Sequence, residues 1–158
     1  MQYDGSILWQ ISLGPDGENI LYQSTFGMFD FDSDGNLYLQ NSYEGNVDPF
    51  VQGQLNVYKL GADARSVVWA KRTDLAHTFY GGPAIVHQDF VFFGGRVQTA
   101  VDGNLVTLAK MRRSNGDLLF YKGYTWTGST ATSSALHGAY GIVDADGNVI
   151  LMAAYPQS

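Results

Sequence analysis

Asp32-Ser33-Asp34-Gly35-Asn36-Leu37-Tyr38-Leu39 returns near the other end of the chain as Asp144-Ala145-Asp146-Gly147-Asn148-Val149-Ile150-Leu151. Each copy reads as an acidic, Gly-containing turn feeding an apolar strand. Asp and Asn bond their own main chain in such turns, and Gly accepts the left-handed backbone. A weaker copy, His87-Gln88-Asp89-Phe90-Val91-Phe92, lies between them. Taking Asn36, Asp89 and Asn148 as equivalent gives steps of 53 and 59 residues. A second set, two aliphatics followed by an aromatic, repeats as Ser6-Ile7-Leu8-Trp9, Ser66-Val67-Val68-Trp69 and Asp117-Leu118-Leu119-Phe120. Its aromatics are 60 and 51 residues apart. The two sets keep phase, with 33 residues from Asn36 to Trp69 and 31 from Asp89 to Phe120. A repeat of roughly 50–60 residues follows.

Each period holds four short runs rich in Val, Leu, Phe and Tyr and bounded by Gly, Asp or Asn, which is the signature of strands. The expected strands are 26–32, 36–42, 54–60 and 66–72 in one copy and 83–87, 90–96, 104–111 and 117–123 in the next. Gly61-Ala62-Asp63 and Ser114-Asn115-Gly116 form the hairpin turns between third and fourth strands. Pro83 is expected at a strand start, where a missing N–H is tolerated. No segment carries a sustained helical stripe. Composition agrees: 45% hydrophobic residues against 15% charged excludes a disordered chain, and 19 Gly with 4 Pro suits short strands and tight turns.

The expected fold is all-β. Four antiparallel strands per repeat describe a β-propeller blade. The 158 residues then form one propeller segment with about two full blades plus partial ones. The partial blades cover 1–14 and 137–156, and the full blades 19–73 and 79–124. Gly82-Pro83-Ala84-Ile85-Val86, Asp89-Phe90-Val91-Phe92-Phe93-Gly94 and Gly116-Asp117-Leu118-Leu119-Phe120 follow one another in an order that resembles the PQQ-like, quinoprotein-type propeller repeat family. Residues 31–38 are similar to the Asp-Gly-Asn type of bacterial propeller repeat. The resemblance spans residues 5–155 and implies architecture rather than activity. The second copy departs from it in lacking a Gly-Asn turn and in carrying Phe120 where the pattern has Trp. A quinone cofactor is not implied: its ligands come from many blades, and the vicinal cysteine pair of the quinoprotein dehydrogenases cannot exist in a chain with no cysteine.

Propellers close with four to eight blades, more than this chain supplies. It is therefore expected to belong to a larger propeller or to self-associate, for instance as two copies giving six blades. An open half-ring would leave long apolar strand edges exposed.

Asp30-Phe31-Asp32-Ser33-Asp34-Gly35 has the Asp-x-Asp-x-Asp-Gly spacing of a calcium loop, in which alternate carboxylates converge on one Ca2+. The twelfth position is Asn41 instead of a bidentate Glu, so no EF-hand is supported. The competing reading gives Asp30, Asp32 and Asp34 to the backbone groups of the turn. His77, His87 and His137 have no metal-ligand spacing. His137, in Leu136-His137-Gly138-Ala139-Tyr140, precedes the last repeat and is faintly similar to the histidine of arylsulfotransferase propellers, which need several. Trp9 and Trp69 occupy equivalent repeat positions and are read as packing between blades. Trp126 sits in Thr125-Trp126-Thr127-Gly128-Ser129-Thr130 without a repeat equivalent, so Trp126 and His137 are the candidate ligand contacts.

The net charge of −6 excludes a basic footprint for nucleic acid. The only basic cluster, Lys110 with Arg112 and Arg113, borders a hairpin turn and is read as solvated. No run reaches the length of a membrane helix, and Met1-Gln2-Tyr3-Asp4 does not open a signal peptide. The expected role is a non-catalytic scaffold or recognition module, extracellular or periplasmic, that binds protein or glycan through inter-strand loops. The alternatives are part of a propeller enzyme, quinoprotein-type dehydrogenase or sulfotransferase, and an oligomeric lectin.

Overall fold

The computed structural model describes residues 25–26, 29–43, 54–74, 78–99, 103–124 and 139–153. These residues are all-β, with antiparallel pairing throughout and no helix among them. In the first sheet, β1 (Thr25–Phe26) and β2 (Asp30–Phe31) both lie along β3 (Leu37–Tyr43). β4 (Gln54–Leu60) and β5 (Val67–Asp74) complete a meander. The second sheet repeats that order with β6 (Thr78–His87), β7 (Phe90–Thr99), β8 (Gly103–Arg112) and β9 (Leu118–Tyr124). β10 (Ala139–Val143) and β11 (Val149–Ala153) form a hairpin. No closed barrel forms among the described residues. Residues 1–14, expected as a partial blade, lie outside them.

The duplicated motif builds one turn twice. In both copies the first Asp donates its backbone N–H to the carbonyl of the Asn four residues on, at 3.0 Å for Asp32 N–H to Asn36 O and for Asp144 N–H to Asn148 O. Gly35 and Gly147 sit at φ of 80° and 83°, a region where a Cβ is strained. The middle copy is a two-residue turn, Gln88-Asp89, with Gln88 at φ 51°.

Both outer hairpins carry a bulge at the same place, between Lys59 and Leu60 and between Lys110 and Met111. Each bulge puts the repeat aromatic opposite a lysine, Trp69 across from Lys59 and Phe120 across from Lys110. Superposing the bulges makes Leu37 equivalent to Val91 and Tyr38 to Phe92, because Leu37 pairs with Leu60 and Val91 with Met111. Aligning Asn36 with Asp89 by sequence is thus one residue out. In a strand that error exchanges the two faces.

With the faces so assigned, the sheets stack in series. Tyr38, Val57 and Trp69 on one face of the first sheet join Ala84, Val91, Phe93, Ala109 and Met111 on the facing side of the second. Val86 and Tyr121 pack against that cluster. The opposite face of the second sheet carries the buried Phe92 and Leu108, and β10 crosses it over β6 and β7. Rings meet edge to face where Tyr38 and Trp69 lie 6.1 Å apart.

Strand β6 starts at Thr78, five residues before its expected start, and runs through Pro83 instead of beginning there. Pro83 has no N–H, and the pairing shifts between Gly81 and Ala84. The chain accommodates the proline inside a bulge. Gln40 reaches across from the first sheet and donates its Nε2 protons to Gly82 O at 2.6 Å and Gly94 O at 2.7 Å. Its Oε1 is buried without a partner. Gly82 is required by close approach: a Cβ there would lie 2.7 Å from Gly94 O.

Candidate functional site

The chemistry of the described residues concentrates where the turns of the two sheets meet. Asp32 directly follows β2, and its side chain is fully buried. Oδ1 accepts the backbone N–H of Asp34 at 3.0 Å and of Asn36 at 2.9 Å. Asn36 Nδ2 reaches both oxygens, at 3.1 and 3.0 Å. Oδ2 accepts the Tyr38 hydroxyl at 2.9 Å. Lys59 Nζ and Arg113 Nε each stand 3.9 Å from Oδ2, too far to hydrogen-bond but close enough to balance the charge. Burial pushes the Asp32 carboxyl up, yet the bonds from Asn36, Tyr38 and Asp34 together outweigh it and hold the group below its ordinary range. The Tyr38 phenol is driven well above its usual value by burial and by the Asp32 carboxylate that its hydroxyl faces. Asp32 is an ionised anchor whose lone pairs are engaged.

Sequence spacing groups Asp30, Asp32 and Asp34 as calcium ligands, and the fold sends them to different partners. Asp30 accepts the N–H of Phe31 at 2.8 Å and, from the neighbouring sheet, the N–H of Val86 at 2.7 Å. Asp34 is exposed at the tip of the turn. The described residues contain no group of three His, Asp or Glu side chains arranged to hold a metal ion. The exposed copy behaves like the buried one: Asp144 accepts the N–H of Asp146 at 3.0 Å, the N–H of Asn148 at 2.8 Å and Asn148 Nδ2 at 2.9 Å. The Asn148 side chain and these backbone bonds keep its pKa low. Trp126, His137, His77 and Trp9 lie outside the described residues.

Trp69 belongs to the junction. Its indole N–H donates to Arg113 O at 3.1 Å, and its ring is buried. That bond holds the β8–β9 turn against β5.

A groove of about 340 Å3 opens beside this anchor, lined by Lys59, Asp89, Arg112, Arg113 and Ser114. Three of its five side chains are cationic in a chain of net charge −6. The sequence grouped Lys110 with Arg112 and Arg113. The fold separates it, because Lys110 Nζ lies over the Phe90 ring at 3.8 Å and the Phe92 ring at 5.4 Å. Lys59 from the first sheet takes its place. That contribution is invisible in sequence, since it depends on the bulge at Lys59 and on the stacking of two sheets. Asp89 fixes the rim through its carbonyl, which accepts the Arg113 N–H at 2.9 Å.

Comparison of the chain with known protein families, with curated proteins and with solved structures gives no match.

Proposed function

We propose that this chain is a segment of a PQQ-like β-propeller, its stacked sheets being blades, and that it works as a non-catalytic, extracytoplasmic recognition module. It binds a protein or glycan through the turns that converge at one end of the stack. The observation that carries this reading is the groove between the Asp32 anchor and the β8–β9 turn. Buried contacts fix its walls, its cations come from both sheets, and Arg112 is exposed beside it. Such a groove suits an acidic group of the partner, a carboxylate of a uronic acid or of an Asp or Glu side chain, which Arg grips in a bidentate fork. The carboxylate of Asp32 is engaged by its donors, so the site is built to hold rather than to transfer a proton.

The test is equilibrium binding to matched acidic and neutral oligosaccharides and peptides, with wild type and Arg112→Glu. Acidic ligands should be retained at least tenfold better than neutral ones, and Arg112→Glu should abolish the difference. Arg65→Glu, in the exposed β4–β5 turn, should leave it intact. Equal retention of neutral and acidic ligands, or unchanged binding by Arg112→Glu, refutes the proposal.

A further inference from the structure

Two of the three repeats have the same face covered by the next. Tyr38 and Gln40 of the first sheet are fully buried beneath the second. Phe92, the structural equivalent of Tyr38, is buried in the second sheet on the face that the β10–β11 hairpin crosses. The third repeat has the same turn as the first, so Ile150 and Met152 stand where Tyr38 and Gln40 stand. They are 44% and 53% exposed, and Ile142, opposite Ile150, is 53% exposed. This face is more apolar than its buried equivalent: Asp30, Tyr38 and Gln40 have become Ile142, Ile150 and Met152. Among the described residues nothing covers it.

The other end of the stack has the matching half. In the second sheet, Val86 packs into the junction with the first. Its equivalent in the first sheet is Phe31, since Phe31 pairs with Leu37 and Val86 with Val91. Phe31 is 53% exposed and packs edge to face on the exposed Phe29 at 5.7 Å. Among the described residues, each junction joins the Tyr38-type face of one repeat to the Val86-type face of the next, and one face of each type is left uncovered by them.

We infer that two copies of this chain associate head to tail, the Phe29–Phe31 face of one continuing the series onto the Ile142–Ile150–Met152 face of the other. The contact extends an interface that the chain already makes within itself. It is heterologous, so two copies close into a ring if the rotation allows and otherwise add further copies. The inference rests on the stacking of the described sheets and is independent of what the groove binds.

The test is sedimentation velocity and native mass of the 158-residue chain, with Phe31→Asp and Ile150→Asp variants. Both side chains are exposed, so the folded monomer should keep the far-ultraviolet spectrum of wild type. Wild type should run as a dimer or larger closed species, and each variant alone should lose at least tenfold in association. Mixed in equal amounts, the two variants should form a dimer, because each brings the one face the other lacks. A monomeric wild type overturns the inference and assigns the face to another segment or partner. Assembly that survives either substitution, or a mixture that stays monomeric, also overturns it. If Ile150→Asp does not fold, Met152→Lys on the same face takes its place.

Discussion

Replacing Asp32 tests the junction at its most connected point. Alanine there leaves the Tyr38 hydroxyl, which lies inside the core, without an acceptor. It also removes the acceptor for two backbone N–H groups and for Asn36 Nδ2, and leaves Lys59 and Arg113 facing each other without their shared anion. Removing one partner of a buried charged network costs about 3–5 kcal/mol. For a chain of this size that is a fall in Tm of about 6–20 °C, at 2–4 °C per kcal/mol. Asp32→Asn keeps the shape but turns an amide donor toward other donors, and should cost about 2–3 kcal/mol. The sign of the pH dependence follows from the depressed pKa. The stabilisation is fully present above the ordinary carboxylate value of 3.8 and is lost as pH falls through the lower native value. Asp63 is held low by the Arg65 and Ser66 backbone N–H groups, and Asp144 by Asn148, so they contribute to acid sensitivity in the same window. The stability difference between wild type and Asp32→Asn isolates the one group. Urea denaturation from pH 7 to pH 2 should show that difference constant down to about pH 4 and shrinking below it. A difference under 0.5 kcal/mol at pH 7 (about a twofold change in the folding constant), or one that grows on acidification, refutes the reasoning.

Two further substitutions probe the joint between the sheets. Gln40→Met, which installs the side chain found at the equivalent position Met152, deprives the Gly82 and Gly94 carbonyls of their donor and removes the orphaned Oε1 at the same time. The net loss should be about 1–3 kcal/mol by denaturant unfolding, and a gain in stability would show that the bridge contributes nothing. Gly82→Ala should cost about 2–3 kcal/mol through overpacking, since its Cβ meets backbone that cannot step aside; a neutral result would mean that the bulge can open.

The short apolar runs and the Gly, Asp and Asn turns that bound them made the strands legible, and β3, β4, β7 and β8 lie within three residues of their expected ends. Trp69 was legible as packing because its position recurs. What the sequence concealed depends on register. The bulges at Lys59 and Lys110 coincide, but the turn at Gln88-Asp89 is shorter than the one at Asp32–Asn36, so faces counted from the turns come out exchanged. Lys59 was hidden as a member of the groove because it reaches it from the other sheet. Pro83 misplaced the start of β6 because its missing N–H is absorbed by a bulge whose carbonyls are satisfied from a different sheet. Spacing alone does not say whether a carboxylate turns toward an ion or toward main chain; in the fold Asp30 and Asp32 accept backbone N–H groups and Asp34 is exposed.

The Gln40 bridge also bears on how the chain folds. In a stack of repeats each sheet can in principle close by itself, and unfolding then proceeds unit by unit. Here the irregular pairing around Pro83 is completed by a side chain that lies 42 residues upstream of Gly82. Until the first sheet docks, the Gly82 and Gly94 carbonyls of the second lack this donor, and until the second arrives the Gln40 amide of the first lacks these acceptors. The two sheets are thereby joined into a single cooperative unit. Hydrogen exchange should find the amides of β3 and β7 opening together, with one free energy, while those of β10 and β11 open at a lower one.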